Sequence, residues 1–169
     1  MRFAIRGLVA FVFIFVAGCA ANGAIITAQD PFAGPTRTFA RYLDRGHYTA
    51  IGMIDAKGKQ TLQVLVVERG QAHQVGRAGD VGEFKLGPSI LALHAVGECK
   101  PVTNATPYEI FTQWLVSFDL SPEQLLQFAK EPLSAVKVSI GDSSYQLQLS
   151  ADDTQVVRQN AFALTLSKN

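Results

Sequence analysis

Residues able to carry chemistry are sparse in this 169-residue chain. His47, His73 and His94 fall at no spacing that a metal site or a triad needs, and no HExxH or Cys-x-x-Cys run occurs. His94 and Cys99 are near enough in sequence to suggest a thiol and its base. A base beside a thiol lowers its pKa and makes it nucleophilic. They lie across a strand end, however, and need not face each other. The plainer reading of Cys99 is a small buried hydrophobe. Asp152 and Asp153 are adjacent carboxylates whose plainer role is to cap a helix. Glu83, Glu98 and Glu109 are scattered, and nothing singles one out as a general acid. No Gly-x-Ser-x-Gly elbow is present. Gly76-Arg77-Ala78-Gly79 lacks the Walker spacing and is followed by no helical pattern, so it is no phosphate cradle. Trp114 reads as core, with ligand stacking as the sharper alternative. No catalytic, cofactor-binding or metal-ligating residue is assigned, and the reading leans away from an enzyme.

The elements that would position any site are mostly strands. Residues 48–55 and 60–69 read as a β-hairpin around Lys57-Gly58-Lys59. Leu62, Val64 and Val66 alternate with Gln63, Leu65 and Val67, so both faces of the second strand are partly apolar, as in a central strand. Residues 69–82 carry four glycines and read as a loop or wide hairpin end. Strands are expected at 83–86 and 90–96, broken by Gly87-Pro88. Residues 97–107 are polar and turn-rich, and 108–120 read as one long strand. Ser121-Pro122-Glu123-Gln124 opens a helix, with Ser as N-cap, Pro at the first position and Gln124 completing a capping box. Pro132 stops it. Strands at 135–140 and 145–149 form a second hairpin. Ser150 then caps a last helix, although 162–166 could equally be a closing strand. Earlier in the chain, Phe39, Tyr42 and Leu43 at i, i+3, i+4 suggest a short helix over 36–47. Its Arg37, Arg41 and Arg45, at i, i+4, i+8, would form a basic stripe. That stripe is a candidate contact for anionic headgroups or a partner, and more plainly a solvated face. The sum is an α+β domain: a mostly antiparallel sheet with two or three helices packed on it, a β-sandwich being the alternative.

The start of the chain carries the most specific signal. Arg2 and Arg6 precede Gly7–Val16, an apolar run of ten residues. A spanning helix needs about 20 apolar residues, so the run fits a signal peptide instead. It ends in Val16-Ala17-Gly18-Cys19, which resembles a bacterial lipobox. The resemblance implies cleavage before Cys19 and acylation of that residue. Residues 1–18 are then the signal, 19–35 (small residues with Asn-Gly, Asp-Pro and Gly-Pro) a lipidated tether, and 36–169 the single domain. In Gram-negative lipoproteins Asp after the Cys is the usual inner-membrane retention signal. Residue 20 is Ala, so the resemblance implies the periplasmic side of the outer membrane, with the inner membrane or the cell surface as alternatives. Of 15 Lys and Arg, Arg2 and Arg6 leave with the signal; 13 remain against 14 Asp and Glu, a net charge of −1. That balance argues against nucleic acid as a partner, since phosphate binding needs a basic surface. Lipidation of Cys19 leaves Cys99 alone, so no disulfide forms within the mature domain. The expected function is that of a membrane-anchored envelope lipoprotein, either a structural or interaction module with an envelope protein partner, or a module holding a small or lipid-like ligand. No cofactor is implied.

Overall fold

The computed structural model describes residues 25–30, 34–39, 42–43, 48–56 and 59–166, with side chains from 51–53 and from 59 onward. The element order is β1 (Ile25–Asp30), β2 (Gly34–Phe39), β3 (Tyr42–Leu43), β4 (Tyr48–Ala56), β5 (Lys59–Arg69), β6 (Val81–Leu86), β7 (Ser89–His94), β8 (Val102–Ala105), β9 (Ile110–Leu120), α1 (Pro122–Lys130), β10 (Leu133–Ile140), β11 (Ser143–Gln148) and α2 (Ala151–Leu166). The fold is α+β with a majority of strand. Seven strands form one sheet, in the order β1-β2-β4-β5-β9-β8 with β3 also on β4. Four form the other, in the order β11-β10-β6-β7.

Alternation decides how the two sheets meet. Leu62, Val64 and Val66 of β5 stand opposite Phe118, Val116 and Trp114 of β9. Ile51 and Met53 of β4 continue the same rows beside Val64 and Leu62. These side chains share one core with Phe84 and Leu86 of β6 and with Val136, Val138 and Ile140 of β10. The two sheets therefore bury their inner faces against each other, the packing that the sandwich alternative anticipates. Phe84 sits at the centre, edge-on to Phe118 at 5.4 Å and to Phe128 of α1 at 5.7 Å. The capping box of α1 is formed as read: Ser121 Oγ accepts from Gln124 N–H, and Ser121 N–H donates to Gln124 Oε1 at 2.8 Å. In α2 the same exchange uses Ser150 and Asp153. The segment 162–166 is helical. Both hairpins pair as expected, with Val136 opposite Leu147 and Val138 opposite Tyr145 in the second.

Three expectations are corrected. Within 36–47, residues 36–39 and 42–43 are strand and not helix: β2 and β3 pair with β1 and β4. Arg37, read as the first member of a helical stripe, stands on a strand. Arg37 lies on β2 opposite Asp55, while Arg41 and Arg45 lie outside the described residues. The local apolar spacing suited a helix, but β2 has partners on both sides that are distant in sequence or lie outside that window. Second, strand begins at Ile25, inside the stretch read as tether, because Ile25-Ile26-Thr27 are β-branched and β1 finds β2 as a partner. Third, the turn-rich stretch 97–107 contains β8, which pairs with β9.

Candidate functional site

Two regions carry unusual polar arrangements. One is the loop between β5 and β6, which crosses from one sheet to the other. Thr112, buried on the inner face of β9, donates from Oγ1 to Gly70 O at 2.8 Å and accepts from Ala72 N–H at 2.9 Å. Trp114 Nε1 donates to Gln74 O at 2.9 Å, and the indole lies 5.7 Å from the Tyr145 ring. Tyr145 Oη donates to Glu68 Oε2 at 2.8 Å and reaches Gln74 Oε1 at 3.4 Å. Burial, and then the Glu68 carboxylate, push the phenol up to about 12. The hydroxyl therefore keeps its proton and acts as a donor that ties β11 of one sheet to β5 of the other. Trp114 is core, as its plainer reading had it, and its ring N–H is spent on the loop.

The sequence-level chemical candidates fall within or beside this loop, and the fold separates them. Cys99 is buried in the core, exchanging backbone hydrogen bonds with Gly76 at 2.8 and 2.9 Å. Burial pushes its thiol up to about 11, with a backbone hydrogen bond from Leu115 opposing and the Asp80 charge adding to the rise. A thiol held in this way is inert at neutral pH. His94 is exposed on the outer face of β7, with Nδ1 3.2 Å from Gly79 O. The thiol–base dyad is therefore not formed. The Gly76 and Gly79 N–H groups donate to Cys99 O and Ala95 O, so they cannot cradle a phosphate. Glu83, Glu98 and Glu109 pair with Lys137, Lys100 and Arg69 at 3.0, 3.6 and 3.4 Å, all well exposed. Asp153 caps α2 and Asp152 is exposed in its first turn. His73 is exposed; His47 and Cys19 lie outside the described residues. Among the described residues, no three His, Cys, Asp or Glu side chains gather closely enough to hold a metal ion.

The second region is the β8–β9 hairpin. Its turn, 106–109, is fastened by one residue. Thr106 Oγ1 accepts from Glu109 N–H at 3.0 Å and Tyr108 N–H at 3.3 Å, while Thr106 N–H and Oγ1 both donate to Glu109 O. Pro107 adds a fixed φ. The turn thus holds Tyr108 out at 96% exposure, with half-exposed Ile110 two residues on. Behind the tip, on the outer face of the large sheet, Leu65, Val67, Phe111 and Leu115 form a small apolar cluster separate from the main core. Gln113 lies among them by register, only 3% exposed, and its Oε1 has no hydrogen-bond partner. Asn104 occupies the next row of the same face on β8, and its buried Nδ2 has none either. Sequence reasoning missed this hairpin because it placed Tyr108 inside a strand and 102–105 inside a loop. The available signal was Thr106-Pro107-Tyr108 between two stretches rich in β-branched residues.

No family model, curated protein or solved structure matches the chain.

Proposed function

We propose that this chain is a lipid-anchored protein of the bacterial envelope that works by holding a protein partner, with the β8–β9 hairpin as its contact end. The observation that carries the reading is Tyr108: a large aromatic side chain, 96% exposed, on a turn whose polar groups are internally bonded. A preorganised aromatic loses little freedom on binding, which is why such residues dominate contact energies. Acid–base chemistry has no comparable support. Among the described residues, the two side chains with displaced pKa values, Tyr145 and Cys99, both hold their protons more tightly.

Anchoring rests on the lipobox resemblance at Cys19. Among the described residues no helix is long and apolar enough to cross a membrane. Two or more acyl chains suffice to hold a protein stably, at about 0.8 kcal/mol per buried CH2. With β1 starting at Ile25, the chain from Cys19 to the first strand reaches about 20 Å when extended. Less slack remains than a tether through residue 35 would supply, so the domain works close to the bilayer.

The test has two arms. Cys19→Ala should move the protein from the membrane to the soluble fraction; retention in the membrane fraction refutes the anchor. A photo-cross-linking residue is then placed at Tyr108, or at Ile90, 66% exposed on the other sheet, in intact cells of the source bacterium. A discrete adduct from position 108 and none from position 90 is expected. No adduct from 108, or the same adducts from both, refutes the hairpin as the contact end.

A further inference from the structure

The kind of partner can be taken further, on the basis of that reading. We propose that β8 is the docking edge for an extended peptide segment of the partner, which joins the seven-stranded sheet as a new strand and sets a hydrogen-bonding side chain beside Asn104.

Three observations point this way. First, β8 ends the described order of its sheet, and antiparallel pairing fixes which of its backbone groups face outward. Thr106 and Glu109 are bonded across the turn, and Ile110 O accepts from Gly70 N–H on the β5 side. Alternation from there directs Asn104 and Val102 toward β9. Thr103 and Ala105 are left with their N–H and C=O groups facing away from it. Their spacing is what an added strand pairs with. Second, Asn104 stands on β8 itself and is half-buried, and its Nδ2 has no hydrogen-bond partner. Polar groups withdrawn from water are nearly always bonded, so this donor marks where an acceptor of the partner belongs once the side chain turns to the edge. An amide or a hydroxyl side chain offers that acceptor. A lipid tail does not. Third, Val102 of β8 is about half exposed on the outer face and gives an apolar side chain of the incoming strand a neighbour, while Tyr108 stands open at the end of the hairpin. The edge carries no Pro, Lys or bulge within β8, the usual devices that blunt an open strand.

Two measurements test this on the full-length acylated protein. Ala105→Pro removes the outward N–H without taking a bond from the β8–β9 ladder. It should lower the adduct yield from position 108 by about tenfold while the urea midpoint stays near that of the parent. If that variant folds poorly, Asn104→Leu serves instead, since it deletes the unpartnered donor and leaves the strand. Undiminished adduct with the fold intact refutes strand addition and leaves a side-chain contact at Tyr108 standing. The second measurement needs no natural partner. The probe is the synthetic peptide acetyl-Val-Asn-Val-Asn-Val-amide, added in excess to the detergent-solubilised protein. Amide exchange at Thr103 and Ala105 should slow by about tenfold, with no change in the β6–β7 hairpin. Unchanged exchange at both residues refutes the docking edge whatever the cross-linking finds.

Discussion

Gly82 offers the sharpest check on how the two sheets meet. It lies on β6 beneath the central aromatic cluster, and a Cβ built there would stand 2.6 Å from Phe118 Cζ and 2.8 Å from Cε1. It would also be 2.9 Å from Phe84 Cε2. Carbon atoms prefer about 3.5–4.0 Å, so Gly82→Ala forces a shift of roughly 1 Å on rings that have nowhere to go. Both rings are fully buried and locked edge-to-face at 5.4 Å. Overpacking of this kind costs about 1–3 kcal/mol. Urea unfolding followed by the fluorescence of the single tryptophan, Trp114, reads the cost directly. A second substitution separates the clash from any effect of glycine on the strand. Phe118→Leu alone should cost about 1–2 kcal/mol, less than full truncation to Ala. On that background Gly82→Ala should cost less, only the contact with Phe84 remaining, which gives a coupling of about 1–2 kcal/mol. If Gly82→Ala is as stable as the parent, or if the two costs simply add, the close approach of β6 to β9 is wrong.

Two further outcomes follow from buried polar groups. Gln60 is buried on β5, and neither end of its amide has a partner. Gln60→Leu should therefore raise stability by about 1–3 kcal/mol, read as a higher urea midpoint; a fall would mean the amide is bonded after all. Burial raises the Cys99 thiol from 9.0 to about 11 and the Tyr145 phenol from 10.0 to about 12. In both cases the unfolded chain gives up its proton first, so the stabilisation is complete below pH 9 and is lost as pH rises through the folded values. The urea midpoint should hold level to pH 9 and then fall between pH 9 and 12. In Cys99→Ala the fall should start about one pH unit later. A midpoint that stays level through pH 11 would contradict the burial of both groups.

Where local pattern and tertiary pairing agree, the residues alone suffice. Ser121, Pro122 and Gln124 specify the start of α1 through contacts within one turn. Alternation in 135–140 already separates the core residues from the rest, since a strand's two faces differ by a single residue step. Trp114 falls in the core for the same reason. The signal-like start, Arg2 through Cys19, is also a purely linear feature, and it supplies the anchor part of the proposed function. Residues 36–47 show the opposite case. Phe39, Tyr42 and Leu43 carry a helical spacing, yet β2 takes up pairing with β1 on one side and β4 on the other, which no window of a dozen residues contains. β8 is four residues long, too short for a period to register, and exists because β9 offers it an edge. Cys99 and His94 sit close in the chain but are parted by burial. Glu68, Gln74, Trp114 and Tyr145, spread over much of the sequence, are brought together by a loop that must cross between sheets. The exposed Tyr108 and the unpartnered amides of Asn104 and Gln113 belong to this second group. Whether a polar atom finds a partner depends on which strands lie beside it, and only the folded chain decides that.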